Sequence, residues 1–193
     1  MRRTLETTLL LCLSLLGANP IAADYPEEIP FVPTPIEVVD RMLALAEVRQ
    51  SDVVYDLGSG DGRIVIRAAK KYGVRAVGIE MDPLLLEKSR QSAIAEGVSH
   101  LVEFRAEDAL KTDLSPATVV TLYMLPWFNK AMKPSFQTML KPGARIVAHD
   151  FGIEGWEPEK TEKLPEIVLK PGGYKHQHIL YLWRINSRLQ SKN

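Results

Sequence analysis

Cysteine is almost absent from this chain: among 193 residues the single thiol is Cys12. Beyond residue 23 there is none, which excludes a disulfide framework and a thiolate metal centre there and leaves the redox compartment unmarked. Net charge is lacking too, since 24 Lys and Arg balance 24 Asp and Glu. No block of like charges and no basic stripe appears, so no nucleic-acid partner is expected. The apolar run Leu9 to Leu16 is too short to span a bilayer. Internal repeats and low-complexity segments are missing as well. What remains is an ordinary globular composition, 46% hydrophobic, at a length that suits one domain.

The amino-terminal segment has a pattern of its own. Arg2 and Arg3, the apolar run interrupted by Cys12 and Ser14, and the small Ala23 after Ile21-Ala22 make up the three regions of a secretory signal over residues 1–23. Glu6 departs from that pattern. A cleaved signal predicts an exported or periplasmic protein. A retained leader predicts a cytoplasmic or membrane-tethered one, with the leader as its membrane contact. Cys12 follows Leu11 rather than a small residue, so it is read as apolar filling and not as a lipid-attachment site.

Residues 24–35 form a proline-rich, acidic lead-in (Asp24, Pro26, Glu27, Glu28, Pro30, Pro33, Pro35) that cannot be a helix interior. Thr34 and Pro35 are expected to cap and open a helix over 36–47, whose Val38, Val39, Met42, Leu43 and Ala46 share one face. Strands are then predicted at 53–56, 76–79, 102–105, 118–122 and 145–148. Helices are predicted at 62–72, 83–96 (capped by Asp82) and 129–140. Residues 152–165 show no period. Ile167 to Leu169, the Pro171-Gly172-Gly173 turn and Ile179 to Trp183 read as a closing hairpin. Alternating strands and helices imply an α/β fold: a Rossmann-like, doubly wound sheet, mostly parallel, with an antiparallel closing hairpin. The domain is expected over 36–185, with a tail at 186–193.

The chemistry is concentrated at strand ends. Asp56-Leu57-Gly58-Ser59-Gly60-Asp61-Gly62 joins the first strand to the next helix, where open α/β sheets bind ligands. A dinucleotide loop needs glycine three residues after its second glycine. Here that position is Arg63, and the extra glycine is Gly62, which favours S-adenosylmethionine. Glu80 ends the second strand 20 residues after Gly60, where a carboxylate can accept from both ribose hydroxyls. Met81 can pack on adenine. Asp108, after the third strand, can accept from the adenine amino group or serve as a helix cap.

These stretches resemble the class I, seven-strand S-adenosylmethionine-dependent methyltransferases over residues 36–185. More narrowly, the chain is similar to the small mitochondrial-type protein-lysine methyltransferases, and more distantly to the non-SET histone lysine methyltransferases. The resemblance rests on Phe31-Val32-Pro33-Thr34-Pro35, Asp56 through Ile64 (DLGSGDGRI), Val77 through Glu80 and Gly143 through Val147. It implies S-adenosylmethionine held by Asp56, Gly58, Gly60, Glu80 and Asp108, and Ser59 and Met81 complete the candidate cofactor set. It also implies that Thr34 and the segment after the fourth strand frame the reaction centre, with a protein lysine as acceptor.

That segment, Tyr123-Met124-Leu125-Pro126-Trp127-Phe128-Asn129, departs from the Asn-Pro-Pro-aromatic motif of many amide and base-amine methyltransferases. Tyr123, Trp127 and Phe128 can instead wall a channel for a lysine stem, or two of them can be core. Asp150, next to His149 at the end of the fifth strand, can accept a proton or bond a loop. The candidate catalytic set is thus Thr34, Tyr123, Trp127 and Asp150. No metal is expected, and His176 and His178 are read as surface residues. Two other readings stand beside the lysine one: a small-molecule or lipid methyltransferase, and a module that binds S-adenosylmethionine without transferring the methyl group. An exported enzyme would also lack an obvious supply of a cytosolic cofactor.

Overall fold

A computed structural model describes residues 29–168 and 175–186. The leader, the first part of the lead-in, the Pro171-Gly172-Gly173 turn and most of the tail lie outside them. The chain divides into Met1–Pro30 and Phe31–Asn193, and the second unit holds every element that follows. Among the described residues no helix is long and apolar enough to cross a membrane.

The elements run α1 (Ile36–Leu45), β1 (Val53–Leu57), α2 (Arg63–Tyr72), β2 (Arg75–Glu80), α3 (Pro83–Ala95), β3 (Val102–Ala106), β4 (Val119–Leu122), α4 (Pro126–Met139), β5 (Arg145–His149), β6 (Lys160–Lys163), β7 (Ile167–Val168), β8 (Lys175–His176) and β9 (Ile179–Arg184). Seven strands form one sheet in the order β3-β2-β1-β4-β5-β9-β6. The first five are parallel, and β9 runs antiparallel to both β5 and β6. Strands β4 and β5 are buried throughout, as expected where helices cover both faces of a parallel sheet. The order reverses between β1 and β4, so their carboxyl ends open a crevice at the switch point.

Local rules set most boundaries. Asp82 caps α3 by accepting from the Leu84 and Leu85 amides, with Pro83 in the first turn. Helix α4 begins at Pro126, three residues before the pattern suggests, because proline suits a first turn. Helix α1 buries Val38, Val39, Met42 and Leu43, and its Asp40 takes a paired contact from Arg67 of α2.

Two expectations fail. Thr34 does not cap α1: Pro35 stands at the cap position with no side-chain bond, and the Thr34 hydroxyl turns inward to His149. The hairpin partner of β9 is not the segment at 167–169 but β6, in the stretch that shows no period. Strand β6 is the polar sequence Lys-Thr-Glu-Lys at the sheet edge, so it has no apolar alternation to reveal it. Ile167 and Val168 pair instead with Lys175 and His176 in a separate two-stranded ribbon.

Candidate active site

The glycine loop leaves β1 and is tied to β2: the Gly58 and Ser59 amides both donate to Ile79 O at 2.9 Å. Gly58 and Gly60 have φ of 73° and 54°, a region that favours glycine. A Cβ on Gly58 would lie 2.5 Å from Met124 Sδ, so the loop and the segment after β4 need this glycine to approach one another. A Cβ on Gly60 would run into the Phe31 ring of the lead-in. Arg63 grips Asp61 with two bonds and donates to Thr34 O at 2.9 Å, joining the lead-in to the start of α2.

Glu80 meets the same loop. One carboxylate oxygen accepts from Gly60 N at 2.8 Å, and the other accepts from the Met81 and Asp82 amides. Met81 is 43% exposed beside it. Asp108, after β3, accepts from Leu110 N and faces Lys111 Nζ at 3.2 Å. Asp56 is buried under the loop and takes the Thr121 hydroxyl at 2.7 Å. Burial pushes its carboxyl up to about 7, although the Thr121 bond works the other way, and the charges of Glu80 and Asp61 add to the rise.

The Asp56 shift has a testable sign. A folded-state value above the ordinary 3.8 means that the folded chain holds a proton which the unfolded chain has lost between about pH 4 and pH 7. Asp56 therefore favours the folded state most at low pH, and this contribution fades as pH rises through the window, by up to about 1.4 kcal/mol per pH unit. Asp56→Asn should flatten this slope in urea unfolding series from about pH 4.5 to about pH 7.5. A variant with the parent's slope would show that Asp56 titrates normally.

At the carboxyl ends of β4 and β5 a second group gathers. The Thr34 hydroxyl meets His149 Nδ1 at 3.2 Å, and His149 Nε2 meets His178 Nδ1 at 2.8 Å. The Tyr123 ring lies over His149 at 4.0 Å between centroids and stacks on Phe151 at 6.2 Å. Asp150 has φ 59°. Its Oδ1 accepts from Ile179 N at 2.9 Å, and its Oδ2 lies 2.9 Å from His176 Nε2. His149 is fully buried, and burial lowers it to about 4 despite the Asp150 charge. Burial lowers His178 as well. For Asp150, burial works upward but is outweighed by the Ile179 amide and the histidines, so it stays ionised. Burial and then Asp150 push the Tyr123 hydroxyl up to about 12.

Thr34, Tyr123 and Asp150, distant in sequence, therefore meet around His149. Trp127 is placed by the first turn of α4 and packs edge-on against Phe128, which is core. Asn129, two residues beyond Trp127, is buried and donates to Phe151 O at 2.9 Å, anchoring the segment after β5. His178 is not the surface residue expected from sequence: it is 2% exposed. His176 is half-exposed and contacts Asp150. The spacing of these two histidines, at the mouth of β9, is the signal that could have found them.

The glycine cradle and the carboxylates around it fit S-adenosylmethionine, which brings a ribose diol, a cationic amine and a sulfonium. Comparison with known proteins agrees. Residues 56–160 match the family model described as ANTKMT methyltransferase domain. A protein-lysine N-methyltransferase of Saccharolobus islandicus is 40% identical over 159 residues, 82% of this chain and 96% of that one. The adenine nucleotide translocase lysine N-methyltransferase of Mus musculus is 34% identical over 132 residues, and the match covers 68% of this chain and 57% of the mouse protein. A solved structure from Salinibacter ruber, described as an RNA methyltransferase in complex with S-adenosyl-L-homocysteine, aligns with a TM-score of 0.72 at 49% identity, over 81% of this chain and 95% of that one. The chain belongs to the ANTKMT methyltransferase domain family and is an S-adenosylmethionine-dependent methyltransferase with the seven-strand class I fold.

Proposed function

We propose that this enzyme methylates the side-chain amine of a protein lysine. The observation that carries the reading is the 40% identity to the archaeal protein-lysine N-methyltransferase across 96% of that protein. The site supports it. Tyr123 and Trp127 are half-buried aromatic walls after β4, suited to an aliphatic stem that ends in an amine.

Asp56, Gly58, Ser59, Gly60, Glu80, Met81 and Asp108 hold the cofactor in this reading, and Thr34, Tyr123 and Trp127 line the approach of the acceptor. When bound, the cofactor supplies an electrophilic methyl group. Thr34, Tyr123 and Trp127 would align the lysine nitrogen with that methyl group, opposite its bond to sulfur. In-line placement of this kind supplies up to roughly 7–11 kcal/mol. The amine must first be neutral, and desolvation beside a cationic sulfonium lowers its pKa, so its proton leaves to solvent without a dedicated base. Asp150 has both oxygens engaged and acts here by positioning the histidines.

The test is radiolabelled methyl transfer into a proteome extract, beside the same extract with its lysines chemically blocked. Label in the first and not the second is expected. Trp127→Ala should lower turnover by roughly 10²-fold while cofactor affinity is nearly kept, because alignment is lost before binding. Equal labelling of both extracts rejects lysine. One observation favours a second reading, an RNA acceptor: the 49% identity to the Salinibacter protein. Label that disappears with ribonuclease and survives protease would establish it. The balanced charge, 24 against 24, speaks against it, since RNA binding rests on a positive surface.

A further inference from the structure

Three histidines and a carboxylate converge where β5 ends and β9 begins, in a chain whose sequence predicts no metal site. We propose that His149 Nε2, His178 Nδ1 and Asp150 Oδ2 bind a divalent transition-metal ion, with Zn²⁺ as the best fit, which clamps the end of β5 to the start of β9. Such a site goes beyond methyl transfer and does not depend on which acceptor the enzyme uses.

The geometry is that of three corners of one coordination shell. His149 Nε2 and His178 Nδ1 are 2.8 Å apart, and Asp150 Oδ2 lies 3.3 Å from the first and 3.6 Å from the second. Nitrogen and oxygen ligands at about 2.0–2.1 Å from a tetrahedral zinc stand about 3.3–3.4 Å from each other. These three atoms need shifts of only a few tenths of an ångström to enclose an ion. His176 Nε2 contacts the same Asp150 oxygen at 2.9 Å from the solvent side, and a water can supply the fourth corner.

The surroundings are those of a built site. The Thr34 hydroxyl meets the other nitrogen of His149, fixing the ring, and the Ile179 amide fixes the other oxygen of Asp150. Asp150 adopts a left-handed backbone that few non-glycine residues take, and strain of this kind gathers at functional positions. Imidazole ligands select zinc, nickel or copper over magnesium and calcium. Without an ion, one ring N–H between His149 and His178 satisfies their contact, and binding would move that proton to the other nitrogen of its own ring, with no net release.

The experiment uses the full chain without a histidine tag, stripped with chelator and titrated with Zn²⁺ by calorimetry, with a thermal melt at each ratio. One equivalent should bind, the melting temperature should rise, and Mg²⁺ should do neither. His178→Gln and Asp150→Asn should each weaken binding at least about 10-fold, whereas His100→Gln, on an exposed turn, should change nothing. Asp150→Asn covers the case in which His178→Gln does not fold, since asparagine tolerates the left-handed backbone. Binding well below one equivalent, or equal binding by the parent and Asp150→Asn, would overturn the proposal. Because the readouts are metal affinity and melting, its failure is distinct from failure of the lysine reading.

Discussion

Gly60→Val is expected to abolish cofactor binding while leaving the chain folded. Gly60 sits at φ 54°, where a β-branched residue is strained, and its new side chain would have to displace Phe31. Phe31 is 45% exposed, so the ring can swing outward and the core is not disturbed. The strain costs roughly 1–3 kcal/mol, which a domain of this size survives. The proposed cradle has no such outlet, since the valine methyl groups would stand where the cofactor lies against the loop. Affinity for S-adenosylhomocysteine should fall at least about 100-fold, equivalent to about 2.8 kcal/mol. Gly62→Val makes the contrast. A Cβ there would stand 2.7 Å from the Phe104 ring and 2.9 Å from the Ser89 Cβ, inside the packing of α3 on β3, so this variant should lose stability first. Calorimetry with circular dichroism melts separates the two effects. Full binding by the Gly60 variant would show that the loop does not touch the ligand.

Arg145→Ala should produce the largest loss of stability at a site away from the chemistry. Arg145 opens β5 at the end opposite His149. It is 9% exposed, and Asp52 is 7% exposed. The guanidinium holds both oxygens of Asp52, at 3.0 and 2.6 Å, and donates from Nε to Ala46 O at 2.9 Å. It thus ties the end of α1 and the turn before β1 to the middle of the sheet. Removing one partner of a buried pair leaves an uncompensated charge and costs about 3–5 kcal/mol. Thr118 and the Arg49 amide still bond Asp52, so the lower figure is expected. A loss of about 3 kcal/mol corresponds to a fall in Tm of about 6–12 °C. Adding Asp52→Asn should restore part of it, because the two sites are coupled. Cofactor affinity below the melt should be unchanged. An Arg145→Ala protein with the parent's Tm would mean that the pair is solvated in solution.

Much of this site is legible in the sequence because the information is local. Asp56 through Gly62 is one continuous loop. Glu80 follows an apolar strand whose end must lie beside that loop once β1 and β2 pair in parallel. Resemblance alone places Thr34 near the reaction centre, and the capping role that its position suggests is not the one it takes. Its partner His149 lies 115 residues away, and no local rule links them. His178 reads as surface for a related reason. Burial of a polar residue in the short link between β8 and β9 leaves no periodic trace, and only the antiparallel register that sets His149 opposite Leu180 brings His178 to Asp150 and His149.

The sequence by itself determined the alternation of strands and helices, the parallel part of the sheet, the glycine loop and the family. The first three are encoded in the spacing of apolar residues, prolines and glycines over fewer than about twenty positions, and the family in the resemblance of whole motifs. The tertiary structure alone decided that the polar segment Lys160–Lys163 completes the sheet, that Arg145 and Asp52 are a buried pair, and that three histidines surround Asp150. The reason is physical: strand pairing through backbone groups requires no particular side chain, and a polar side chain becomes buried when distant segments close over it.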